Sequence, residues 1–333
     1  MMKKITIVIL IIFAAISTFS YMKLGKTELT KITVSPKWLN QAQFAGMFLA
    51  QEDGLYKDQG LEVEFKEFQF QKDTTDDLLN GSIDFAITSA EVFLTLVDQG
   101  EDVIALGAIY QQSPYVIVSL KEKNITSPAD FKGKILGNKG GKLEENLFYD
   151  SLASSIGLSY KDLDIKEVGF EQKEIDDLLA GDVDAIDVYQ TDQLYFFDKE
   201  GIEYNVIYPE RFGINLYNDI IVGRREFVEN NKELVEKFIT STMQGWKEAI
   251  ENPQKAIKAT MKYVTNEEYL DENYEKFILE NSIPLINPNK NQPIGIMTFK
   301  KWEELYQNMK NRNLITNDID VYNIFTNEYI NHQ

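Results

Sequence analysis

One pattern occurs twice, at an offset of about a hundred residues, and it constrains the fold more than anything else in the chain. Residues 74–86 read TTDDLLNGSIDFA and residues 174–186 read EIDDLLAGDVDAI. Asp76, Asp77, Leu78, Leu79, Gly81 and Asp84 recur as Asp176, Asp177, Leu178, Leu179, Gly181 and Asp184. Each copy runs from helix-forming residues to a glycine, which ends helices because it accepts left-handed backbone. An aspartate and a short apolar run of strand character follow, at 85–87 and 185–188. Helix–strand punctuation of this kind is common, but six identities at one offset favour a true repeat. The expected fold is α/β, with two similar lobes, each a mixed, mainly parallel sheet flanked by helices. A chain of 333 residues, 44% of them hydrophobic, is long enough to bury two such cores.

Residues 32–65 read as the opening unit of the first lobe. Ile32 and Val34, then Leu61, Val63 and Phe65, alternate with period two as half-buried strands do. Between them Phe44, Met47, Phe48, Leu49 and Leu55 fall at helical spacing, and Gly54 and Gly60 punctuate the turn that follows. This is a βαβ unit. Ligands of such sheets sit at the carboxyl ends of the strands, on the loop before the helix. That loop, residues 35–43, carries Trp38, Asn40, Gln41 and Gln43: one flat ring and several neutral amides.

The same stretch resembles a known family. Trp38, then Gln41 to Gly46 (QAQFAG), then Ala50, Gly54, Tyr56, Lys57, Gly60, Leu61 and Val63 are similar to the opening of the thiamine-precursor (NMT1/THI5-like) group of solute-binding proteins. Looser similarity runs to about Ile250. The resemblance implies a type II periplasmic-binding-protein ("Venus flytrap") fold that hands a small molecule to the permease and ATPase of an ABC importer. A minority of relatives are sensor domains or pyrimidine-synthesising enzymes. The enzymes need a site histidine and a cysteine-rich motif; here Phe44 stands about where the histidine would be, and the chain has no cysteine.

Composition narrows the chemistry further. The net charge of −19 argues against nucleic acid or anionic lipid as partner, which would need clustered Lys and Arg. Without cysteine, and with His332 as the sole histidine, disulfides, thiolate nucleophiles, histidine triads and His-rich metal sites are excluded. No cofactor and no metal is expected. Residues 1–20, MMKKITIVILIIFAAISTFS, have a basic start and an apolar run, the form of a secretory signal. The run is short for a membrane span, which needs roughly 20 residues. Its cleavage site is weak, so the alternative is an uncleaved anchor holding the protein at the membrane surface. Residues 21–31 read as a linker. The expectation is an exported, extracytoplasmic monomer.

Farther along, residues 103–110 and 116–120 are strand-like, and Ser127-Pro128-Ala129-Asp130-Phe131-Lys132-Gly133-Lys134 matches a pattern that opens the second lobe in many solute-binding proteins. Residues 143–156 have the pattern of an amphipathic helix, and from Glu226 on the pattern is helical. The first lobe is expected to comprise residues 32–120 and 220–333, the second residues 121–219, with the hinge crossings near Leu120 and Asp219.

Candidate ligand contacts lie at strand ends, where loops face the cleft. Trp38 suits stacking on a heteroaromatic ring. Asn40, Gln41 and Gln43 suit its ring nitrogens and carbonyls. Thr88, Ser89 and Glu91 follow the first repeat's strand, although Ser or Thr there is an N-cap by default. Gln111, Gln112, Ser113 and Tyr115 line another strand end. Asn138, Gly140 and Gly141 precede a second-lobe helix; no P-loop spacing is present there, and Lys139 and Lys142 would suit an anion. Asp187, Tyr189 and Asp192 end the second repeat. The family often shows T-N-E-P where this chain has Thr191-Asp192-Gln193-Leu194; Gln193 stands in place of the glutamate, so the family's carboxylate contact does not carry over at that position. Asp187 or Asp192 would pair with a ring amino group by a charge-assisted hydrogen bond. Residues 212–219, FGINLYND, resemble the family's hinge segment and offer Tyr217 and Asp219. The expected ligand is a planar heterocycle, a thiamine pyrimidine precursor or a riboflavin-like vitamin. Ligand sensing is one alternative. Binding of sulfonate or nitrate is the other, disfavoured because arginine is scarce.

Overall fold

The computed structural model describes residues 29–69, 74–139, 143–169, 173–266 and 269–330. The expected signal or anchor, most of the linker, and Gly140 and Gly141 lie outside the described residues. Among the described residues no helix is long and apolar enough to cross a membrane. In chain order the elements are β1 (Thr30–Ser35), α1 (Ala45–Glu52), β2 (Leu61–Phe65), α2 (Thr74–Leu79), β3 (Phe85–Thr88), α3 (Ala90–Asp98), β4 (Val103–Tyr110), β5 (Tyr115–Leu120), β6 (Ile135–Asn138), α4 (Leu143–Ser154), β7 (Asp164–Glu167), α5 (Lys173–Ala180), β8 (Ala185–Tyr189), α6 (Leu194–Glu200), β9 (Tyr204–Ile207), β10 (Asn218–Arg224), α7 (Lys232–Glu251), α8 (Pro253–Thr260), α9 (Glu272–Ile286) and α10 (Phe299–Asn311).

The strands form two five-stranded sheets, β2-β1-β3-β10-β4 and β7-β6-β8-β5-β9. β1 runs parallel to β2 and β3, and β6 runs parallel to β7 and β8. β10 is antiparallel to β3 and β4, just as β5 is antiparallel to β8 and β9. The two lobes therefore share one strand order and one set of directions. In each, the antiparallel strand is the one that arrives from the other lobe.

The repeat has a physical job. Asp84 accepts the Thr33 amide on its carboxylate (2.8 Å) and donates its own amide to the Thr33 carbonyl (3.0 Å). Asp184 does the same to Ile135, at 3.0 and 2.7 Å. The aspartate thus fastens the second helix–strand unit of each lobe to its first strand. Gly81 and Gly181, at φ +81° and +79°, end α2 and α5 with matching backbone bonds to Leu78 and Leu178.

The first crossing lies at residues 111–114, not near Leu120. β5 was expected to close the first lobe, but it pairs with β8 and β9 and is buried along nearly its whole length, as an interior strand of the second sheet must be. The chain returns to the first sheet with β10, which begins at Asn218. Both crossings are held by the C-terminal segment. Gln111 donates its amide to the Leu285 carbonyl (2.9 Å) and its side chain to the Ile296 carbonyl (3.0 Å). Lys301 donates to the Gln111 carbonyl and to Asn215 Oδ1 (2.9 Å), with its ammonium 4.2 Å from the centre of the Tyr217 ring. Burial pushes that ammonium down to about 7.

α1, the helix after the loop 35–43, is fixed by α7. α7 turns Val235, Phe238, Ile239, Met243 and Trp246 inward, and α7 crosses α1 at two glycines. A Cβ on Gly245 would lie 2.2 Å from the Gly46 carbonyl oxygen, and one on Gly46 would lie 2.2 Å from the Trp246 ring. Gly245→Ala gains about 1 kcal/mol of helix propensity but must force two backbones apart. We expect a net loss of about 1–3 kcal/mol in chemical denaturation; unchanged stability would show that the helices part freely. Asp84→Ala should cost about 1–3 kcal/mol, the penalty for stranding a part-buried amide, and Asp184→Ala about 0.5–1.5 kcal/mol, since water can reach the exposed Ile135 amide. A loss from only one of the two would contradict the equivalence of the lobes.

Candidate functional site

The two lobes meet along a seam between α6 of the second and α9 of the first. Tyr195 donates to Asp271 (3.1 Å), and the rings of Tyr195 and Phe196 lie 5.2 and 5.3 Å from that of Tyr274. At the inner end of the seam is Asp192, in the turn that leads from β8 into α6. One carboxylate oxygen accepts the Tyr274 hydroxyl and the other accepts Gln41 Nε2 at 3.3 Å. Both donors belong to the first lobe. The loop before α1 and the N-terminus of α9 thus converge on one second-lobe carboxylate.

Beside it, Glu275 accepts the Ala42 amide at 2.5 Å, so that two carboxylates from opposite lobes grip the neighbouring residues Gln41 and Ala42. Gln43 gives its amide nitrogen to both oxygens of Asp219, at 3.0 and 2.8 Å. Asp219 sits at φ +48°, a left-handed conformation uncommon outside glycine, and its amide bonds Asn218 Oδ1 at 2.7 Å. Lys37 completes this wall. Its ammonium donates to Asn218 Oδ1 (2.8 Å), stands 3.9 Å from Asp219, and reaches across to within 5.4 Å of the Tyr189 ring centre.

The second lobe supplies an aromatic wall. Tyr115 stacks on Phe148 at 5.0 Å and meets Tyr189 edge-on at 4.5 Å. Below it Lys139 and Glu174 face each other at 3.5 Å, both nearly or fully buried. In the first-lobe loop Trp38 is half-buried, 5.3 Å from Phe68. Neighbouring Asn40 has a buried Oδ1 that meets no donor among the described residues.

Buried carboxyl groups dominate these walls. Burial raises the Asp192 carboxyl above the usual range, against the lowering effect of Tyr274, Lys139 and Gln41. Burial pushes Glu174 up to about 7 despite Lys139, and Glu275 up to about 8 despite the Ala42 amide. The phenols of Tyr110 and Tyr274 are raised as well, chiefly by burial and then by the nearby carboxylates. A desolvated carboxylate is tolerated only with donors or a proton.

Of the residues expected from sequence, Gln41, Gln43, Asp192 and Asp219 come together in one hydrogen-bonded group, and Tyr115 and Tyr189 form the facing wall. Ser113 joins through Asn218 Nδ2 at 3.4 Å. Asn138 bonds Asn146 at 2.9 Å, and Asp187 is buried on the β8 face it shares with Ala185 and Tyr189. Ser89 caps α3 by accepting the Val92 amide (3.3 Å), flanked by buried Thr88 and Glu91. Gln111 and Gln112 lie under the C-terminal segment, both bonding the Leu285 carbonyl. Tyr217 packs 5.5 Å from Trp302, and its hydroxyl accepts the Thr298 amide at 2.9 Å. Sequence reasoning missed Lys37, Asn218, Tyr274 and Glu275. Lys37 and Asn218 adjoin expected residues and were within reach. Tyr274 and Glu275 read only as one turn of a helix, since nothing local marks a contact more than 80 residues away.

A riboflavin-binding protein of Chloroflexus aurantiacus, RibY, is 24% identical over 92% of this chain and 88% of its own. A formylaminopyrimidine-binding protein of Halalkalibacterium halodurans is 22% identical over 83% of this chain and 84% of its own. Among solved structures, the aliphatic sulphonate binding protein SsuA of Escherichia coli superposes with a TM-score of 0.68 at 16% identity, covering 89% of this chain and 97% of that one, a likeness of fold. The NMT1/THI5-like family model matches residues 41–256. Two lobes of shared topology, the opening motif and a match over more than half of its length place the chain in the NMT1/THI5-like family.

Proposed function

We propose that this protein is the extracytoplasmic solute-binding component of an ABC importer, capturing a small planar heterocycle that bears an amino group. Asp192 carries the reading: a buried second-lobe carboxyl, held from the opposite lobe by Gln41 and Tyr274, close in sequence to Tyr189 of the aromatic pair Tyr115 and Tyr189. An exocyclic amine or protonated ring nitrogen would give such a carboxylate a charge-assisted partner, roughly twice as strong as a neutral hydrogen bond. Trp38 in the first lobe and Tyr115 and Tyr189 in the second supply flat surfaces, and Asn40 Oδ1 supplies an acceptor. Names among the relatives, a riboflavin and a formylaminopyrimidine binder, support heterocycles generally. The excess of buried carboxylates favours the amino-bearing pyrimidine.

An anionic solute fits less well. Among the described residues, half-buried Lys37 and buried Lys139 already face Asp219 and Glu174. Phe44 supports binding without catalysis, since it is a buried packing residue where enzymatic relatives are expected to carry histidine. Closure of the lobes by hinge bending at the two crossings would bury the solute. Delivery to a permease and ATPase would follow.

Thermal shift of the chain from residue 21, screened with aminopyrimidines, thiamine, riboflavin and alkylsulfonates, tests the class. A ligand at a hundred times its dissociation constant adds about 2.7 kcal/mol. Asp192→Asn should weaken an aminopyrimidine by ~10- to 100-fold, the scale of a hydrogen bond to a charged group. Trp38→Ala should weaken it by about 10-fold. Stabilisation by sulfonates alone would sink the proposal.

A further inference from the structure

Glu275 is buried in the first turn of α9, on the lobe opposite Asp192. One of its oxygens holds the Ala42 amide at 2.5 Å. The other, Oε1, is buried and meets no donor among the described residues. A side chain so placed does two things. It fixes the loop that presents Trp38 to Gln43, and it sets a carboxyl against the other lobe's Asp192, since the two bracket consecutive residues of that loop.

We propose that Glu275 is a positioning residue for solute capture, and that closing the lobes brings it and Asp192 into one desolvated carboxyl pair that takes up a proton. The proposal rests on the two-lobe capture reading above. Two carboxyls in one low-dielectric site do not both ionise readily. Among the described residues no cation is paired with Glu275, and the one in range of Asp192 is shared. Glu275 is faced by Asp192 from the opposite lobe and by Asp271 at the cap of its own helix, both of which raise it. Asp192 is faced by Tyr274 from α9, Gln41 from the loop, Tyr110 from β4 and the carboxyl of Glu174 from α5, with Lys139 as the cation in range. Lys139 is already shared with Glu174 at 3.5 Å.

The direction of the pH effect follows. The closed form binds the proton more tightly than the open form, so closure is strongest at low pH. It is lost as pH rises through the closed-state value, about 8 for Glu275. One linked proton changes the closed-to-open ratio by up to about ten-fold per pH unit in that window.

The chain has no cysteine, so Gln59→Cys on the first lobe and Lys161→Cys on the second, both exposed, accept a fluorophore pair without background labelling. Energy transfer is recorded between pH 5.5 and 9 without solute and with an aminopyrimidine as probe. The expected result is a closed fraction that falls with rising pH, a slope that flattens in Glu275→Gln, and a matching flattening in Asp192→Asn. Glu275→Gln keeps the acceptor for Ala42 and removes only the titration. Should it fail to fold, Asp192→Asn from the other lobe carries the same test. A closed fraction indifferent to pH, or a wild-type slope in the variants, overturns the proposal. If the slope is present but the aminopyrimidine changes nothing, proton-linked closure stands and the solute assignment falls.

Discussion

Carboxyl groups held out of water where the two lobes meet, outnumbering the ammoniums beside them, are the constraint on which the rest of this structure turns. Asp192, Asp219, Glu174 and Glu275 are all buried, against the ammoniums of Lys37 and Lys139. The arrangement is sustained by donors that come from elsewhere in the chain: Gln41 and Tyr274 for Asp192, Gln43 for Asp219, the Ala42 amide for Glu275. Each of those donors is in turn placed by packing. The loop that carries the glutamines is stiffened because α1 behind it is pressed against α7 at Gly46 and Gly245, too close for any side chain. Electrostatics at the seam and close packing behind it are one mechanism, since buried carboxylates without fixed donors would drag water in or push the lobes apart.

The fold was largely legible because its devices are local. The glycine after each short helix and the aspartate after each glycine act within a dozen residues, and the copies advertise the second lobe. The period-two runs of β1 and β2 and the helical spacing of α7 mark their elements in the same way. β5 was placed in the wrong lobe for a reason of the opposite kind. An apolar strand buried on both faces looks the same whichever sheet receives it, and its true partners, β8 and β9, are remote in sequence. The candidate site divides along the same line. Trp38, Gln41 and Asp192 stand at strand ends and were within reach of pattern reasoning. Glu275 and Tyr274 touch the site only because a distant helix is folded onto it.

The hinge shows how the C-terminal segment governs both lobes at once. Lys301 bonds one crossing through the Gln111 carbonyl and the other through Asn215, while Leu285 and Ile296 receive Gln111 again. Two strands that would otherwise be independent tethers are clamped to one helix, so rotation of one lobe about the other must pass through a single braced point. Gln43, bonded to Asp219 at the start of β10, ties the ligand-facing loop to the same place.

The position of β10 between β3 and β4 has a consequence for how the molecule is made. Residues up to 110 supply four strands of the first sheet but leave a gap in its middle, and the strand that fills it arrives only after the whole second lobe. The second lobe, by contrast, receives its antiparallel strand at the outset, with β5, and can close on itself from contiguous chain. The nascent polypeptide therefore builds its second lobe before it can finish its first. The contacts that complete the first lobe span more than a hundred residues and come late and slowly, as long-range pairings do.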